Sequence, residues 1–243
     1  EVLQQPVFQQ DDIDREKVLQ SARIKQLREN NFAYPVNLFM QTLFGEHAYA
    51  RPSIGTEAAL NAITRDDLDA WFKTNQRPLI PLIVIVGDTG GTGLVAPIAD
   101  ALTNEDLHER DIISLPAPGI KQDIKEAVEA APRQQTALVY GFPGVNRSGA
   151  DRPALVVMEN IVSGLGGRFF DAIREKQGLA YTVYTANSFL TKGGAVFTYT
   201  AFSPENEGKV RESLENEIQR LRKDGVTADE RERLIALIEQ TRQ

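Results

Sequence analysis

Cysteine is absent from all 243 residues. A disulfide and a thiolate metal site are excluded together. The absence suits a periplasmic and a cytoplasmic home alike; of the two, the periplasm is the expectation. Histidine is nearly absent too, with His47 and His108 alone in the chain. His47 is followed by Ala-Tyr-Ala-Arg and His108 by Glu-Arg-Asp, so neither opens a metal-ligand spacing, and each is expected to be a surface or loop residue. Long apolar runs are missing. The longest, Leu79–Val86, is far too short to span a bilayer. An excess of basic residues is missing as well: 27 Lys and Arg face 34 Asp and Glu, a net charge of −7. That balance disfavours nucleic acid or an anionic membrane as partner. The chain opens at Glu1 rather than methionine, so a preceding segment is expected to have been removed.

What is present is ordinary for a globular chain, with 42% hydrophobic and 25% charged residues. The length allows one large or two small domains with a real core. Residues 11–31 predict an amphipathic helix with Ile13, Val18, Leu19, Ala22 and Leu27 on one side, and a short helix follows over 35–44. Thr64 with Asp67 three residues on predicts an N-cap for a helix through Leu68, Trp71 and Phe72, which Pro78 stops. A buried strand is expected at 80–86 and a helix at 94–103. Further strands are expected at 112–115, 136–141, 179–188 and 193–201, with a helix over 151–163; the residues of 122–128 favour helix. Ser203-Pro204 predicts an N-cap and N1 proline for a long helix striped by Val210, Leu214, Ile218 and Leu221, ending near Gly225. Thr227 with Glu230 is a capping box for the last helix. Runs of strands followed by runs of helices imply an α+β fold, with a mixed, largely antiparallel sheet and helices packed on one face.

The rest of the chain is arranged around residues 166–181. Phe169, Phe170 and Ile173 have helical spacing, and Gly178 sits where a helix end needs positive φ. A strand begins at once with Leu179. The helix end thus delivers Arg174 and the strand start delivers Tyr181. A five-donor fork and a phenol close together can hold a backbone carbonyl or a carboxylate.

This stretch resembles the Arg-Glu-Lys-x-Gly-Leu-Ala-Tyr signature of the insulinase/pitrilysin-type zinc peptidases, which include the mitochondrial processing peptidases and their bacterial relatives. Phe44–Thr56 is similar to the family's His-Pro-Tyr…Pro…Gly-Thr segment, Ile63–Leu68 to its Ile-Thr-x-x-Asp-Leu, Ile85–Asp88 to its Val-Gly-Asp, and Val226–Glu230 to its Gly-Val-Thr-x-x-Glu. The motifs keep family order across nearly the whole chain, and the resemblance implies a strand at 122–128 although the residues there favour helix. The resemblance implies that residues 1–77 are the helical end of a preceding zinc-type domain and 78–243 a C-terminal, non-zinc domain. The family's His-x-x-Glu-His is not in this chain, so the chain alone is expected to be inactive and to hold no zinc. Arg174 and Tyr181 match the family's Arg and Tyr, which reach from a zinc-free domain into a catalytic one and hold the substrate backbone. The partners implied are a zinc-bearing domain or subunit and a peptide, with a dimer expected. The alternative within the family is an inactive scaffold or peptide-binding subunit. Arg168 occupies the Arg of the family's Ser-Arg-Leu-Phe, with Gly167 in place of Ser; a structural contact and a more flexible loop are expected there.

One rival signal comes from another class. Gly91-Thr-Gly93-Leu-Val-Ala96 fits the dinucleotide pattern G-x-G-x-x-A and hints at a nucleotide-binding oxidoreductase. Glu105, Asp106 and Glu109, the acidic residues some twenty positions on, precede the next expected strand instead of ending it. No Gly-Lys-Ser/Thr follows, which excludes a P-loop. A glycine-rich turn is the expectation. The carboxylates of the charged helices alternate with Lys and Arg at helical spacing, the pattern of solvated faces.

Overall fold

The structure is a computed structural model and describes residues 3, 5–76, 80, 82–87, 93, 95–102, 114–120, 123, 125–164 and 166–240. The chain separates into two compact units, Glu1–Gln26 with Ser53–Ser114, and Leu27–Pro52 with Leu115–Gln243. His108 and most of the 91–96 glycine motif lie outside the described residues.

The first unit is helical among its described residues. Helix α1 (Gln10–Glu29) buries Ile13 and Ile24, eleven residues and three turns apart, while Val18 and Leu19 are exposed. The expected stripe through Val18, Leu19 and Ala22 is therefore corrected: those positions fall on the opposite side of the helix from Ile13. The inward side is completed by polar residues. Lys17 donates to the Asn61 and Ile63 carbonyls, Gln20 to the Ile54 carbonyl, and Ser21 to Glu57. These bonds tie α1 to α3 (Glu57–Ala62), while α4 (Arg65–Trp71) opens on the Thr64/Asp67 capping box. Helix α5 (Val95–Leu102) occupies the expected 94–103. The expected strand at 80–86 is not formed over its described residues. Leu82 and Val86 are 92% and 93% exposed, and among the described residues no strand lies beside them to complete a ladder.

The second unit holds the sheet. Strands β1 (Thr136–Gly144), β2 (Thr182–Phe189) and β3 (Gly194–Phe202) are antiparallel in the order β1-β3-β2. Every residue of the central β3 is buried. Helices α6 (Arg152–Val162), α7 (Arg168–Phe170), α8 (Glu207–Asp224) and α9 (Ala228–Gln240) cover one face, as an α+β fold of this kind requires. Ile161, Phe169, Ile173, Val183, Phe202, Val210 and Leu214 form the core between them. Each such side chain stabilises the fold by about 1.5–3 kcal/mol. Part of the other face carries α2 (Ala33–Phe44) and the residue before it: Phe39 packs on Phe197 and Phe32 on Tyr199.

Expected strands at 112–115 and 122–128 are not present over their described residues. Residues 125–130 are irregular, held by side chains instead of a ladder. Glu126 pairs with Arg211 at 2.8 Å, and Glu129 accepts from the Tyr34 hydroxyl at 2.6 Å. Lys, Glu and Ala are weak strand formers, and side-chain tethers have won over pairing.

Candidate functional site

Gly164 and Gly166 both have φ +79, and the turn they make brings Gly167 so close to the Ser163 carbonyl that a Cβ there would overlap it. Glycine at 167 thus serves close packing, which corrects the expectation of a more flexible loop. Arg168 follows as the first residue of α7. Its Nε and Nη2 donate to the two Glu230 carboxylate oxygens at 2.7 and 2.5 Å, and Nη2 also donates to the Gly225 carbonyl at 2.9 Å. Glu230 in turn accepts the Thr227 N–H at 2.9 Å, and Thr227 Oγ1 accepts the Glu230 N–H. The Arg168 bonds, and secondarily the Thr227 N–H, pull the Glu230 carboxyl down to about 2 against the cost of burial. Arg168 is a structural contact, as expected from its sequence setting.

After α7 the chain widens into a π turn, Asp171–Glu175, and Arg174 lies on it. Single π turns inside helices recur at functional sites. Phe170, Ala172 and Ile173 are buried beneath. Gln177 pins the turn by donating to the Ala172 carbonyl at 2.9 Å and to Ser213 Oγ on α8 at 2.8 Å. Gly178, at φ +63, ends it; its N–H donates to the Arg174 carbonyl and that of Leu179 to the Ile173 carbonyl. This pair of bonds is a Schellman lock one residue wider than usual, in step with the π turn before it.

The Arg174 guanidinium lies 4.9 Å from the centre of the Phe170 ring, and its nearest carboxylate contact is Glu175 at 4.0 Å. Both charged side chains are well exposed, so the ion pair holds the arginine weakly. The aromatic face supports the cation from one side and leaves its donors accessible.

Leu179 and Ala180 are buried, which fixes the backbone leading to Tyr181. The Tyr181 N–H donates to the Ala201 carbonyl at 2.8 Å, one bond beyond the β2–β3 ladder. Its side chain is 54% exposed rather than packed in the core, with the hydroxyl 2.8 Å from Ser203 Oγ. Asn206 adds a second link by donating to the Leu179 carbonyl. Among the described residues no hydrogen bond joins Arg174 to Tyr181. The two are brought to the same stretch by the Gly178 turn, each on a rigid base with an accessible polar end.

Ser203 is the residue that sequence reasoning assigned to a different task. It was expected as an N-cap, and its side chain makes no capping bond. The hairpin held the signal: Thr182 pairs with Ala201 and the Tyr181 N–H donates to the Ala201 carbonyl, so Tyr181 lies beside the end of β3, which Ser203 follows.

His47 is spent on structure. Its Nδ1 accepts the Tyr49 N–H, leaving Nε2 to donate to the Pro116 carbonyl at 3.1 Å. Among the described residues no three His, Cys, Asp or Glu side chains gather as a metal site would require. A guanidinium and a phenol are each chemically able to bind a carbonyl or a carboxylate.

Comparison with known proteins finds a match over residues 62–238 to the family model of the peptidase M16 inactive domain. An uncharacterized zinc protease of Streptomyces coelicolor is 26% identical over 230 residues, covering 92% of this chain and 50% of that protein. Another, from Mycobacterium tuberculosis, is 28% identical over 203 residues, covering 80% and 45%. A crystal structure of a peptidase M16 inactive domain from Pseudomonas fluorescens superposes with a TM-score of 0.71 at 23% identity, over 95% of this chain and 56% of that one. The chain therefore spans about half the length of the relatives it matches.

Proposed function

Because the chain belongs to the peptidase M16 inactive-domain family, we propose that it is the substrate-holding half of a zinc metallopeptidase, completing the site of a zinc-bearing domain or partner subunit. Residues 1–77 then belong to the end of a preceding zinc-type domain and 78–243 to the complementing one. Peptides are enclosed between the halves and hydrolysed there. Activation of the attacking water belongs to the zinc-bearing half. The residues of this chain bind and orient: Arg174 donates to a peptide carbonyl or terminal carboxylate, and the Tyr181 hydroxyl donates to the carbonyl oxygen as negative charge develops on it.

The observation that carries this reading is an accessible Arg174 and an accessible Tyr181 on rigid bases either side of one glycine turn. An arginine kept for structure would look like Arg168, buried against its carboxylate. Reconstitution with the zinc-bearing half tests the reading. Arg174→Ala and Tyr181→Phe each lower kcat/KM on the order of 10²-fold, the loss seen when one oxyanion donor is removed, while assembly by size-exclusion chromatography is unchanged. If the assembled complex hydrolyses no peptide at all, the chain is an inactive scaffold or peptide-binding subunit.

A further inference from the structure

We propose that Ser203 is a positioning residue for Tyr181, aiming its phenol at the substrate carbonyl; the inference rests on the role just given to Tyr181. Ser203 has the backbone of an N-cap, φ −71 and ψ 138, with Pro204 at the first position of the turn Pro204–Asn206. A serine there ordinarily accepts an N–H of the first helical turn. Here that duty falls to the backbone, since the Asn206 N–H donates to the Ser203 carbonyl at 2.8 Å. The hydroxyl is left for Tyr181 Oη, 2.8 Å away.

Ser203 is a fixed point. Phe202 before it is fully buried, and Pro204 after it has a locked φ. Tyr181, by contrast, is more than half exposed at the start of a strand, where its ring and its hydroxyl proton would otherwise take several orientations. A serine hydroxyl both donates and accepts. When Ser203 donates to the phenol oxygen, the Tyr181 O–H is left to donate to an incoming carbonyl. The two bonds then run in one direction and polarise each other. The Asn206 bond to the Leu179 carbonyl holds the main chain of the same segment, so side chain and backbone are fixed from one turn.

The test is a double-mutant cycle in the reconstituted enzyme, read as kcat and KM separately, together with the ring resonance of Tyr181 in tyrosine-labelled protein. Ser203→Ala lowers kcat about 3- to 10-fold, the worth of one hydrogen bond, leaves KM unchanged and shifts the Tyr181 resonance. Ser203→Thr, which keeps the hydroxyl, restores both. In a Tyr181→Phe background Ser203→Ala adds nothing. Losses that multiply in the double variant overturn the proposal, as does a silent Ser203→Ala beside an impaired Tyr181→Phe. A silent Tyr181→Phe removes the proposed function itself, and the role of Ser203 with it.

Discussion

Arg168 and Glu230 meet through two short hydrogen bonds with side chains only 7% and 14% exposed. The carboxylate also accepts the Thr227 N–H, so one group holds α7 to the junction of α8 and α9 and caps α9 at once. This makes the pair a pH-sensitive element of stability. Glu230 titrates at about 2 in the fold against 4.5 unperturbed. Its folded value is depressed, so its contribution is fully present above pH 4.5 and is lost as pH falls toward 2. The shift corresponds to about 3 kcal/mol. Thermal unfolding of the wild type should therefore fall steeply between pH 4.5 and 2, and Glu230→Gln should flatten that window while lowering Tm at pH 7. An unchanged slope would remove Glu230 from the account. Arg174, six residues further on, has no such partner, and its removal should leave Tm nearly unaltered. Burial separates the two arginines, and the sequence carries that difference only through the motif each belongs to.

At the scale of elements, the turn at Gly178 decides where Arg174 and Tyr181 stand. Its φ of +63 is left-handed, and an added Cβ there would meet nothing within 4 Å. The cost of Gly178→Ala is thus purely conformational, about 1–2 kcal/mol, with no clash to confuse it. The expected result is a lower Tm together with reduced kcat/KM in the assembled enzyme. Gly178→Asn should lose less of both, because asparagine tolerates this conformation. Equal losses for Ala and Asn would mean that something other than φ is at stake. This stop was legible in the sequence, as were Gly225 at the end of α8 and the boxes at Thr64/Asp67 and Thr227/Glu230, because caps are local chemistry. The inner face of α1 was not. It is built from Lys17, Gln20 and Ser21 reaching distant carbonyls and a carboxylate, which no apolar periodicity announces. Strand 122–128 failed for a related reason: Glu126 and Glu129 found long-range partners that sequence spacing does not show. Ser203 lay in between, predictable as a cap by type and reassigned by its bond to Tyr181 beside the end of the hairpin.

At the scale of the whole molecule, the division of labour proposed between two halves makes a claim about zinc that this chain alone can test. Structural zinc contributes folding energy directly, so a domain that depends on it unfolds when the metal is withdrawn. Among the described residues here no group of three ligating side chains comes together, and His47 has both ring nitrogens engaged by backbone groups. The second unit is held instead by a core of Ile161, Ile173, Phe202, Val210 and Leu214 under α6–α9. A strong chelator should therefore leave the Tm of the isolated chain unchanged, and added zinc should neither raise it nor produce peptidase activity. In the assembled enzyme the same chelator should abolish hydrolysis while the contribution of this chain to the melting profile stays in place. Zinc added back should restore activity only when both halves are present. A chelator-dependent Tm for the chain alone would instead place a metal within it. It would then have to be held by ligands that include residues beyond the described ones, and the proposed division between a zinc-bearing half and a substrate-holding half would fall.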